Sequence, residues 1–262
     1  MPPPILDNLS AWVAHTWVGG TAILAAGGAT LGYSVLYCNS QIFAPVTSRI
    51  PTAGSVALTF DDGPSPQFTP AILDILDRFS AKATFFLIGV NVRAEEQLAR
   101  EIVVRGHAVG NHTLNHHHTG ILHGVGYWQQ QLARTQDIIL AATGKLPALF
   151  RSPMGLKTPA QARAVRALGL HYIAWQQRGF DTLSIPPTTI AKYINRRIRP
   201  GNIITLHDGL EPARIHLSQR QTIAALPLIL SHLAALNLRS LPLHDALPFP
   251  AYQNSASDQR SI

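Results

Sequence analysis

The sequence contains few cysteines and few charged residues. Its single cysteine, Cys38, excludes a disulfide framework and any zinc site built from several thiolates. Charged residues make up only 13% of the 262 residues, about half of the usual share, whereas hydrophobic residues make up 46%. This composition excludes intrinsic disorder, collagen-like repeats and a charged coiled coil, and it leaves room for one large globular domain or two small ones.

Lysine and arginine are absent from residues 1–48, so all 21 basic residues lie in residues 49–262, against 13 of the 14 acidic ones. The resulting charge of about +8 in that part favours anionic surfaces such as membranes, cell-wall polymers or nucleic acid. Only Arg196 and Arg197 are adjacent, and aromatic residues do not alternate with basic ones. We therefore expect no nucleic-acid binding.

The sequence carries no signature of an oligomeric state.

The N-terminal segment combines the absence of charge with a long hydrophobic run. No charged residue occurs in residues 11–42, and residues 17–38 would span about 33 Å as a helix, enough to cross a bilayer. Tryptophans near the start of this run and tyrosines near its end resemble interfacial aromatic belts. We predict a membrane anchor in residues 1–38 and a linker in residues 39–53. A cleavable signal peptide fits less well, because the first ten residues lack lysine and arginine. A buried glycine-rich helix is the other alternative.

From residue 54 onward, short strand-like runs alternate with longer helical ones. Seven runs are predicted as strands: Val56–Phe60, Ala83–Ile88, His107–Gly110, Ala148–Phe150, Tyr172–Trp175, Ile203–Leu206 and Leu238–Leu241. Six segments have helical periodicity: Thr69–Phe79, Ala94–Val104, Trp128–Ala142, Ala160–Leu168, Thr188–Ile198 and Gln219–Leu236. The alternation predicts an α/β domain over residues 54–243, with a parallel sheet that is either doubly wound or an incomplete barrel. The number of strands favours the barrel, and residues 244–262 are predicted to be a loose tail.

Polar residues directly follow four of the predicted strands. They are Asp61 and Asp62 after the first strand, His112 and His116 after the third, Arg151 after the fourth, and His207 after the sixth. Parallel strands point the same way, so these groups are expected to converge at the carboxyl end of the sheet. That end is where α/β folds place their sites.

Three of these residues predict a site for a catalytic divalent ion. Two adjacent carboxylates repel each other, so one of Asp61 and Asp62 is expected to meet a cation. The four-residue spacing lets His112 and His116 face one ion if the segment turns helically. Together with Asp62 they supply three ligands and leave a position open for water. Zn²⁺ is the first choice by ligand type, and Co²⁺, Ni²⁺ and Mn²⁺ stay open.

The remaining polar residues predict acid–base chemistry beside that ion. Asp61 is expected to act as the general base, and His207 is expected to protonate the leaving group from the opposite side. Arg151 is expected to hold and tune the Asp61 carboxylate. The joint occurrence of these groups at four strand ends carries this interpretation, because no single group is specific enough to do so.

Each feature taken singly also has a plainer interpretation. Paired aspartates before Gly-Pro are often a turn. His107 precedes a strand and is expected to be structural, and Asp208 would cap the segment after His207. We interpret His117, His118 and His123 as part of a loop that is solvated or binds metal adventitiously.

The motifs at these strand ends resemble those of the polysaccharide deacetylases, the NodB-homology family of carbohydrate esterases, over about residues 54–243. The first motif, T-F-D-D-G-P, occupies Thr59–Pro64, and the second, H-T-L-N-H, occupies His112–His116. The third, R-S-P-M-G, occupies Arg151–Gly155, and the last, I-T-L-H-D, occupies Ile204–Asp208. Four motifs in the family's order make this a specific resemblance.

The resemblance implies a distorted (β/α)7 barrel that uses a divalent metal to remove N-acetyl groups from amino sugars or O-acetyl groups from glycans. It implies the same roles as the chemical argument: base Asp61, acid His207, and metal ligands Asp62, His112 and His116. The expected substrate is an acetylated glycan of the cell envelope. The alternatives are a glycolipid, in which the acyl group sits on a lipid-linked sugar, and a catalytically weak barrel that only binds glycans.

Two residues depart from the family pattern. Met154 stands where the family usually has an aromatic residue, but its backbone N–H, expected to help stabilise the oxyanion, is retained. In the fourth motif, D-[ST]-x-D-W, Arg178 occupies the place of the first aspartate and only Asp181 is kept. In the family the first aspartate pairs with the acid histidine, so His207 is expected to lose its proton more easily unless Asp181 or Asp208 substitutes. We predict an altered pH profile in which Asp181 supports His207.

The predicted location follows from the N-terminal segment and the expected substrate. We expect a single-pass, membrane-anchored protein. Polymeric glycans lie outside the cytoplasm, which favours an extracytoplasmic catalytic domain. Arg49, the basic residue nearest to the hydrophobic run, weakly favours the cytoplasmic side for the same domain. The sequence therefore leaves the orientation open.

Overall fold

The computed structural model describes residues 28–183, 185–211 and 218–254. Within these residues a single sheet of nine strands has only parallel pairings, in the order β1-β6-β5-β4-β3-β2-β8-β7, with β9 paired to β2. The strands are β1 (Val46–Thr47), β2 (Ser55–Gly63), β3 (Ala83–Leu87), β4 (Ala108–Asn111), β5 (Leu149–Phe150), β6 (His171–Ile173), β7 (Gln177–Arg178), β8 (Ile203–His207) and β9 (Arg239–Ser240). The sheet curls into a half-barrel that is covered by helices.

Eight α-helices among the described residues follow β2, and all but the last of them lie between strands. They are α1 (Thr69–Arg78), α2 (Gly89–Ala94), α3 (Glu96–Val104), α4 (Val125–Thr143), α5 (Pro159–Ala167), α6 (Pro187–Asn195), α7 (Arg220–Ala235) and α8 (Leu243–Ala246). Two short 3-10 helices, His118–Leu122 and Pro153–Gly155, lie in the loops after β4 and β5. Every predicted strand and helix is present, with bounds that differ by a few residues, so the α/β parallel architecture is confirmed.

The central strand β2 explains how the core positions the site. All nine of its residues are buried, as expected for a parallel strand covered on both faces. Val56, Leu58 and Phe60 belong to the large apolar cluster shared with the outer helices. The alternating residues, including Thr59 and Asp61, face the other way. The strand thus anchors itself with one row of side chains and presents polar groups to the interior with the other.

The predicted linker and tail are part of the folded domain. Residues 39–53, predicted as a linker, contain β1, which pairs with β6 through Val46 and Tyr172. In residues 244–262, predicted as a loose tail, Ala251 is buried and Tyr252 forms a bridge with Pro147. Both predictions were wrong for these residues because a two-residue edge strand and a short docked tail have no hydrophobic period. Residues 255–262 of the predicted tail lie outside the described residues.

Most of the predicted membrane anchor, residues 1–27, lies outside the described residues. In the part of the chain that the structure does describe, no helix is both long and apolar enough to cross a bilayer. Residues 28–36 are helical. Lys157 Nζ donates to the carbonyl oxygens of Tyr37 at 3.2 Å and Cys38 at 2.5 Å, so the end of the predicted anchor packs against the half-barrel. The anchor itself stays a prediction.

Candidate active site

The predicted site residues meet at the carboxyl end of the sheet. Asp61 at the end of β2 is in register with His207 at the end of β8. Asn111, the last residue of β4, pairs with Phe150, so the segments that start at His112 and at Arg151 leave the sheet side by side. The prediction that these strand ends converge is therefore confirmed by the register.

Two glycines allow the segments after β2 and β8 to approach each other closely. A Cβ atom on Gly63 would lie 2.2 Å from Oδ2 of Asp208, and one on Gly209 would lie 2.2 Å from the carbonyl oxygen of Asp62. Asp208 is buried, and Thr69 Oγ1 at the start of α1 donates to its Oδ2 at 2.6 Å. Asp208 therefore links β8 to α1. The sequence had suggested that Asp208 caps the segment after His207, but its carboxylate instead accepts a hydrogen bond from Thr69. Close packing therefore requires glycine at positions 63 and 209.

Asp62, His112 and His116 form a three-ligand group. Oδ1 of Asp62 lies 3.4 Å from Nε2 of His112 and 3.6 Å from Nε2 of His116. The other imidazole nitrogens are engaged: Nδ1 of His112 lies 2.8 Å from the carbonyl oxygen of Arg151, and Nδ1 of His116 lies 2.8 Å from Oε2 of Glu211. With Nδ1–H as donor in both rings, both Nε2 atoms present lone pairs toward Asp62.

This donor set fits a divalent cation. Oδ1 of Asp62 is buried and has no hydrogen-bond partner among the described residues. Burial raises the pKa of this carboxyl, but the positive charge of protonated His116 and His112 outweighs burial and holds the pKa below its ordinary value. A divalent cation held by the same three side chains would supply that positive charge in place of the two protons. One carboxylate and two neutral imidazoles are ligands that suit Zn²⁺ and neighbouring transition metals. A divalent cation would satisfy this buried oxygen of Asp62, which accepts no hydrogen bond from the described residues.

The two histidines are brought together by an irregular turn. The expectation of a helical turn over residues 112–116 was wrong, because Thr113 has φ 70° and His116 has φ 52°. Asn111 Oδ1 accepts from the backbone N–H of Thr113, and Thr113 Oγ1 accepts from that of His116. The ring centroids of His112 and His116 are 4.8 Å apart. Side-chain hydrogen bonds to the backbone replace the helix in placing the rings.

Positive φ angles at residues other than glycine concentrate in these loops. Besides Thr113 and His116, they occur at Asp62, Met154 and Phe180, with φ of 72°, 53° and 55°. Such angles disfavour side chains with a Cβ and are found where the surrounding structure imposes them, often at functional sites. Asp62, an expected ligand, is therefore held in a backbone conformation that is unfavourable for an isolated chain.

Arg151 fixes the position of Asp61. Arg151 is fully buried, and its Nη1 donates at 2.7 Å to Oδ1 of Asp61 and at 2.7 Å to Oγ1 of Thr59. Its guanidinium carbon also lies 4.1 Å from the ring centroid of Phe86. The predicted contact between Arg151 and Asp61 is present in the structure. Because the guanidinium is itself buried and hydrogen-bonded on several sides, its charge-assisted hydrogen bond leaves the Asp61 carboxylate little freedom to move.

Asp181 holds His207 on the opposite wall. Nδ1 of His207 lies 2.9 Å from Oδ1 of Asp181, whose Oδ2 accepts from Thr222 Oγ1 at 2.6 Å. Burial lowers the pKa of His207, but Asp181 outweighs it and raises the pKa to about 9. Asp181 is therefore the carboxylate that pairs with His207 in this structure, and it is one of the two substitutes that the sequence left open.

Two residues near the expected ligands make contacts that the sequence did not predict. Glu211, after β8, contacts both His116 and His118 through Oε2. These three residues form a second group whose ligand atoms lie within 4.8 Å of one another. His118 is not simply solvated, because it pairs with a glutamate 93 residues away. The second group leaves open the alternative that this loop binds metal. No local sequence signal reports a contact between loops so distant along the chain.

A cavity of about 170 Å³ opens above these groups. It is lined by the expected site residues Asp61, Asp62, His112, His116 and His207 together with His118, Met154, Trp175, Arg178, Thr182, Thr205 and Glu211. Arg151 and Asp181 lie behind this wall and act on it through Asp61 and His207. An expected base and an expected acid therefore face one small cavity, with the three-ligand group between them in the lining.

The fold and the site define an α/β half-barrel hydrolase with a three-ligand candidate metal centre. Residues 48–173 match the polysaccharide deacetylase family model. A peptidoglycan-N-acetylglucosamine deacetylase of Bacillus cereus is 30% identical over 217 residues, which cover 78% of this chain and 93% of the relative. A chitooligosaccharide deacetylase of Sinorhizobium fredii is 35% identical over 196 residues, covering 72% and 91%. This chain belongs to the polysaccharide deacetylase family and is a carbohydrate deacetylase.

Solved structures give the same family. A crystal structure of a peptidoglycan N-acetylglucosamine deacetylase has a TM-score of 0.73 and 27% identity, covering 79% of this chain and 94% of that one. A family 4 acetyl xylan esterase from Clostridium thermocellum, solved with a cobalt ion, has a TM-score of 0.65 and 29% identity, covering 73% and 89%. The curled half-barrel is therefore the fold of family 4 carbohydrate esterases.

Proposed function

We propose that this protein is a metal-dependent hydrolase that removes N-acetyl groups, or O-acetyl groups, from amino-sugar glycans of the cell envelope. One observation carries the proposal: the ligand atoms of Asp62, His112 and His116 lie within 4.8 Å of one another in the wall of a cavity that Asp61 and His207 also line. The names of the peptidoglycan and chitooligosaccharide deacetylases that this chain resembles support an N-acetylated substrate.

Asp62, His112 and His116 would hold the divalent ion. Zn²⁺ is our first choice, and the cobalt ion in the related acetyl xylan esterase supports a site that also accepts Co²⁺. Such an ion polarises an acyl carbonyl and makes bound water more acidic. The rest of the chemistry belongs to the side chains around it.

Asp61 would act as the base. Its Oδ1 is engaged by Arg151, which keeps the carboxylate oriented beside the ligands without taking it out of the cavity wall. In this position it accepts the proton of the water that adds to the acetyl carbonyl. Thr59 and Arg151 act on Asp61 and do not touch the substrate.

His207 would act as the acid. A pKa raised to about 9 keeps the imidazole protonated at neutral pH. Since Nδ1 is engaged by Asp181, Nε2 is the nitrogen that can give a proton to the sugar amine as the carbon–nitrogen bond breaks. The products are acetate and a free amino sugar.

The N-terminal segment supports a location at the membrane. The uncharged run in residues 17–38 is long enough to span a bilayer, and we propose that it holds the catalytic domain beside its envelope substrate. A substrate on the outer side requires an extracytoplasmic domain. A reporter fused after residue 254 and tested on each side of the membrane checks this orientation.

Acetate release tests the proposed activity. The full-length chain, purified in detergent and loaded with Zn²⁺, is incubated with N-acetylated chitooligosaccharides, and acetate is measured against time. We expect Asp61→Asn to abolish release and Asp137→Asn, the same change on an exposed face of α4, to leave it intact. A folded, metal-loaded chain that releases no acetate from chitooligosaccharide, peptidoglycan fragments or a lipid-linked sugar would contradict the proposal.

A further inference from the structure

Arg178 lies on the inner face of the half-barrel, next to the acid and the base. β7 pairs with β8 through Arg178 and Thr205, and β8 pairs with β2 through Thr205 and Thr59, so these residues form one row across three strands. Asp61 and His207 form the next row on the same face, two residues further along their strands. Strand geometry then places the Cα atoms of Arg178 and His207 about 8 Å apart.

The strand that carries Arg178 is fixed in orientation. The preceding residue, Gln177, is buried and donates through Nε2 to Oδ1 of Asn202 at 2.9 Å. Since alternate residues of a strand point to opposite faces, this anchor directs Arg178 toward the cavity, whose lining it joins. The guanidinium carbon lies 5.4 Å from the ring centroid of Phe180, a cation–π distance. Arg178 is therefore positioned by β7 and by an aromatic face.

No acidic side chain neutralises this guanidinium within the described residues. The ion pairs of the site join Asp61 to Arg151, Asp181 to His207 and Glu211 to two histidines. Arg178 takes part in none of them, and it is the only lysine or arginine among the described residues that line the cavity. Its hydrogen-bond donors are left for a ligand.

We propose that Arg178 forms a subsite for an anionic group, a carboxylate or a phosphate, carried by the acylated sugar or by the sugar next to it. Guanidinium binds such groups through two parallel hydrogen bonds, whereas a neutral sugar offers it no charge. This inference rests on the proposed deacetylase function and narrows its substrate to acidic amino-sugar glycans. It gives a role to the position where the family pattern has an aspartate.

A competing role for Arg178 is electrostatic. A cation close to His207 disfavours the protonated imidazole, so Arg178 could tune the acid without touching the substrate. The two roles differ in what a substitution changes. Loss of a tuning residue shifts the pH–rate profile equally for every substrate, whereas loss of an anion subsite raises KM only for substrates that carry the anion.

The test compares Arg178→Gln and Arg178→Lys with wild type in the Zn²⁺-loaded full-length protein. Three substrates are used: neutral N-acetylated chitooligosaccharide, peptidoglycan oligosaccharide with its ether-linked carboxylate, and an N-acetylated amino-sugar phosphate. Arg163→Gln, which removes an exposed arginine on α5, is the matched control. Whichever acidic substrate has the lower KM with wild type identifies the source of the anion.

We expect Arg178→Gln to raise KM for the preferred acidic substrate about 10- to 100-fold, as for loss of a charge-assisted hydrogen bond, and to leave KM for the neutral oligosaccharide within about twofold. Arg178→Lys should keep part of the preference for the acidic substrate, because lysine keeps the positive charge but cannot form the two parallel hydrogen bonds of a guanidinium. Reduction of the sugar carboxylate to an alcohol should remove the difference between wild type and Arg178→Gln.

Equal KM changes on neutral and acidic substrates, or a shifted pH profile without a change in KM, would overturn the subsite. If wild type releases acetate from no substrate, the proposed function fails separately. The proposed subsite is then tested by calorimetry, which measures the affinity of wild type and of Arg178→Gln for the acidic oligosaccharide. Equal affinities in that measurement would also overturn it.

Discussion

Asp181 holds His207 with both of its carboxylate oxygens. Oδ1 lies 2.9 Å from Nδ1 of the imidazole, and Oδ2 accepts from the backbone N–H of His207 at 2.8 Å. Burial lowers the pKa of His207, yet Asp181 raises it to about 9. A single carboxylate thereby fixes the position, the tautomer and the proton of the expected acid.

Asp181→Asn should shift the pH–rate profile. An acid must be protonated to act, so the rate falls as pH rises through the pKa of His207. Removing the Asp181 charge removes the main group that raises this pKa, and the fall should move to lower pH by at least one unit, with a lower maximal kcat. The measurement is kcat/KM for acetate release between pH 5 and 10.

Thr222→Val is the graded control for this prediction. It removes the hydrogen bond to Oδ2 of Asp181 but keeps the carboxylate, so it should shift the profile less and in the same direction. If Asp181→Asn lowers the rate equally at all pH values, Asp181 does not act through the acidity of His207.

Glu211→Gln should weaken metal binding. Glu211 accepts from Nδ1 of His116, which orients the ring and increases the basicity of Nε2. Loss of such a partner typically lowers metal affinity about 10- to 100-fold. Competition between the protein and a chromophoric chelator for Zn²⁺ measures the affinity without relying on turnover.

His118→Gln is the control for that substitution, since His118 also contacts Glu211 but is no ligand of the three-residue group. It should change Zn²⁺ affinity by less than Glu211→Gln does. Equal losses of Zn²⁺ affinity in the two variants would mean that Glu211 and His118 act as one structural unit, and would contradict a specific effect of Glu211 on His116.

Gly209→Ala should destabilise the fold and impair the site together. The added methyl would lie 2.2 Å from the carbonyl oxygen of Asp62, so the backbone beside that ligand must shift. Overpacking of this kind costs about 1–3 kcal/mol. Gly126→Ala, in α4 with open space around it, should instead stabilise by about 0.5–1 kcal/mol. Urea unfolding of both variants decides between these signs, and an unaltered midpoint for Gly209→Ala would contradict the packing argument.

Arg151→Met should be strongly destabilising, by about 3–5 kcal/mol, because it leaves Asp61 as a buried charge without its partner. Asp61→Asn in the same background should recover part of that loss. Unfolding free energies of the two single variants and the double variant give the coupling. Additive losses would show that the ion pair contributes nothing beyond its separate groups.

Much of the site could be predicted from the sequence because its residues follow strands. Asp61, Asp62 and His207 come directly after buried strands, and parallel pairing carries such positions to one edge of the sheet. The apolar side chains of β2 and β8 must face the same core, and this requirement restricts the register in which the two strands pair. The strands β1 and β7 were not predicted, because two-residue edge strands have too few residues for a period.

Contacts between loops were beyond the sequence for a different reason. Glu211 and His116 belong to separate loops, and their meeting depends on the angle at which each chain leaves the sheet. The positive φ of Thr113 and His116 likewise reflects tertiary contacts that override local preference. Sequence patterns report periods and short motifs and do not report these angles.

The most direct test of the account is a Co²⁺ titration of metal-free full-length protein, in which the visible absorption of the bound ion and the rate of acetate release from chitooligosaccharide are followed together. The account predicts that both rise in parallel and level off at one ion per chain, and that His112→Ala suppresses both. Acetate release at full rate before any ion is added, or unchanged release by His112→Ala, would contradict it.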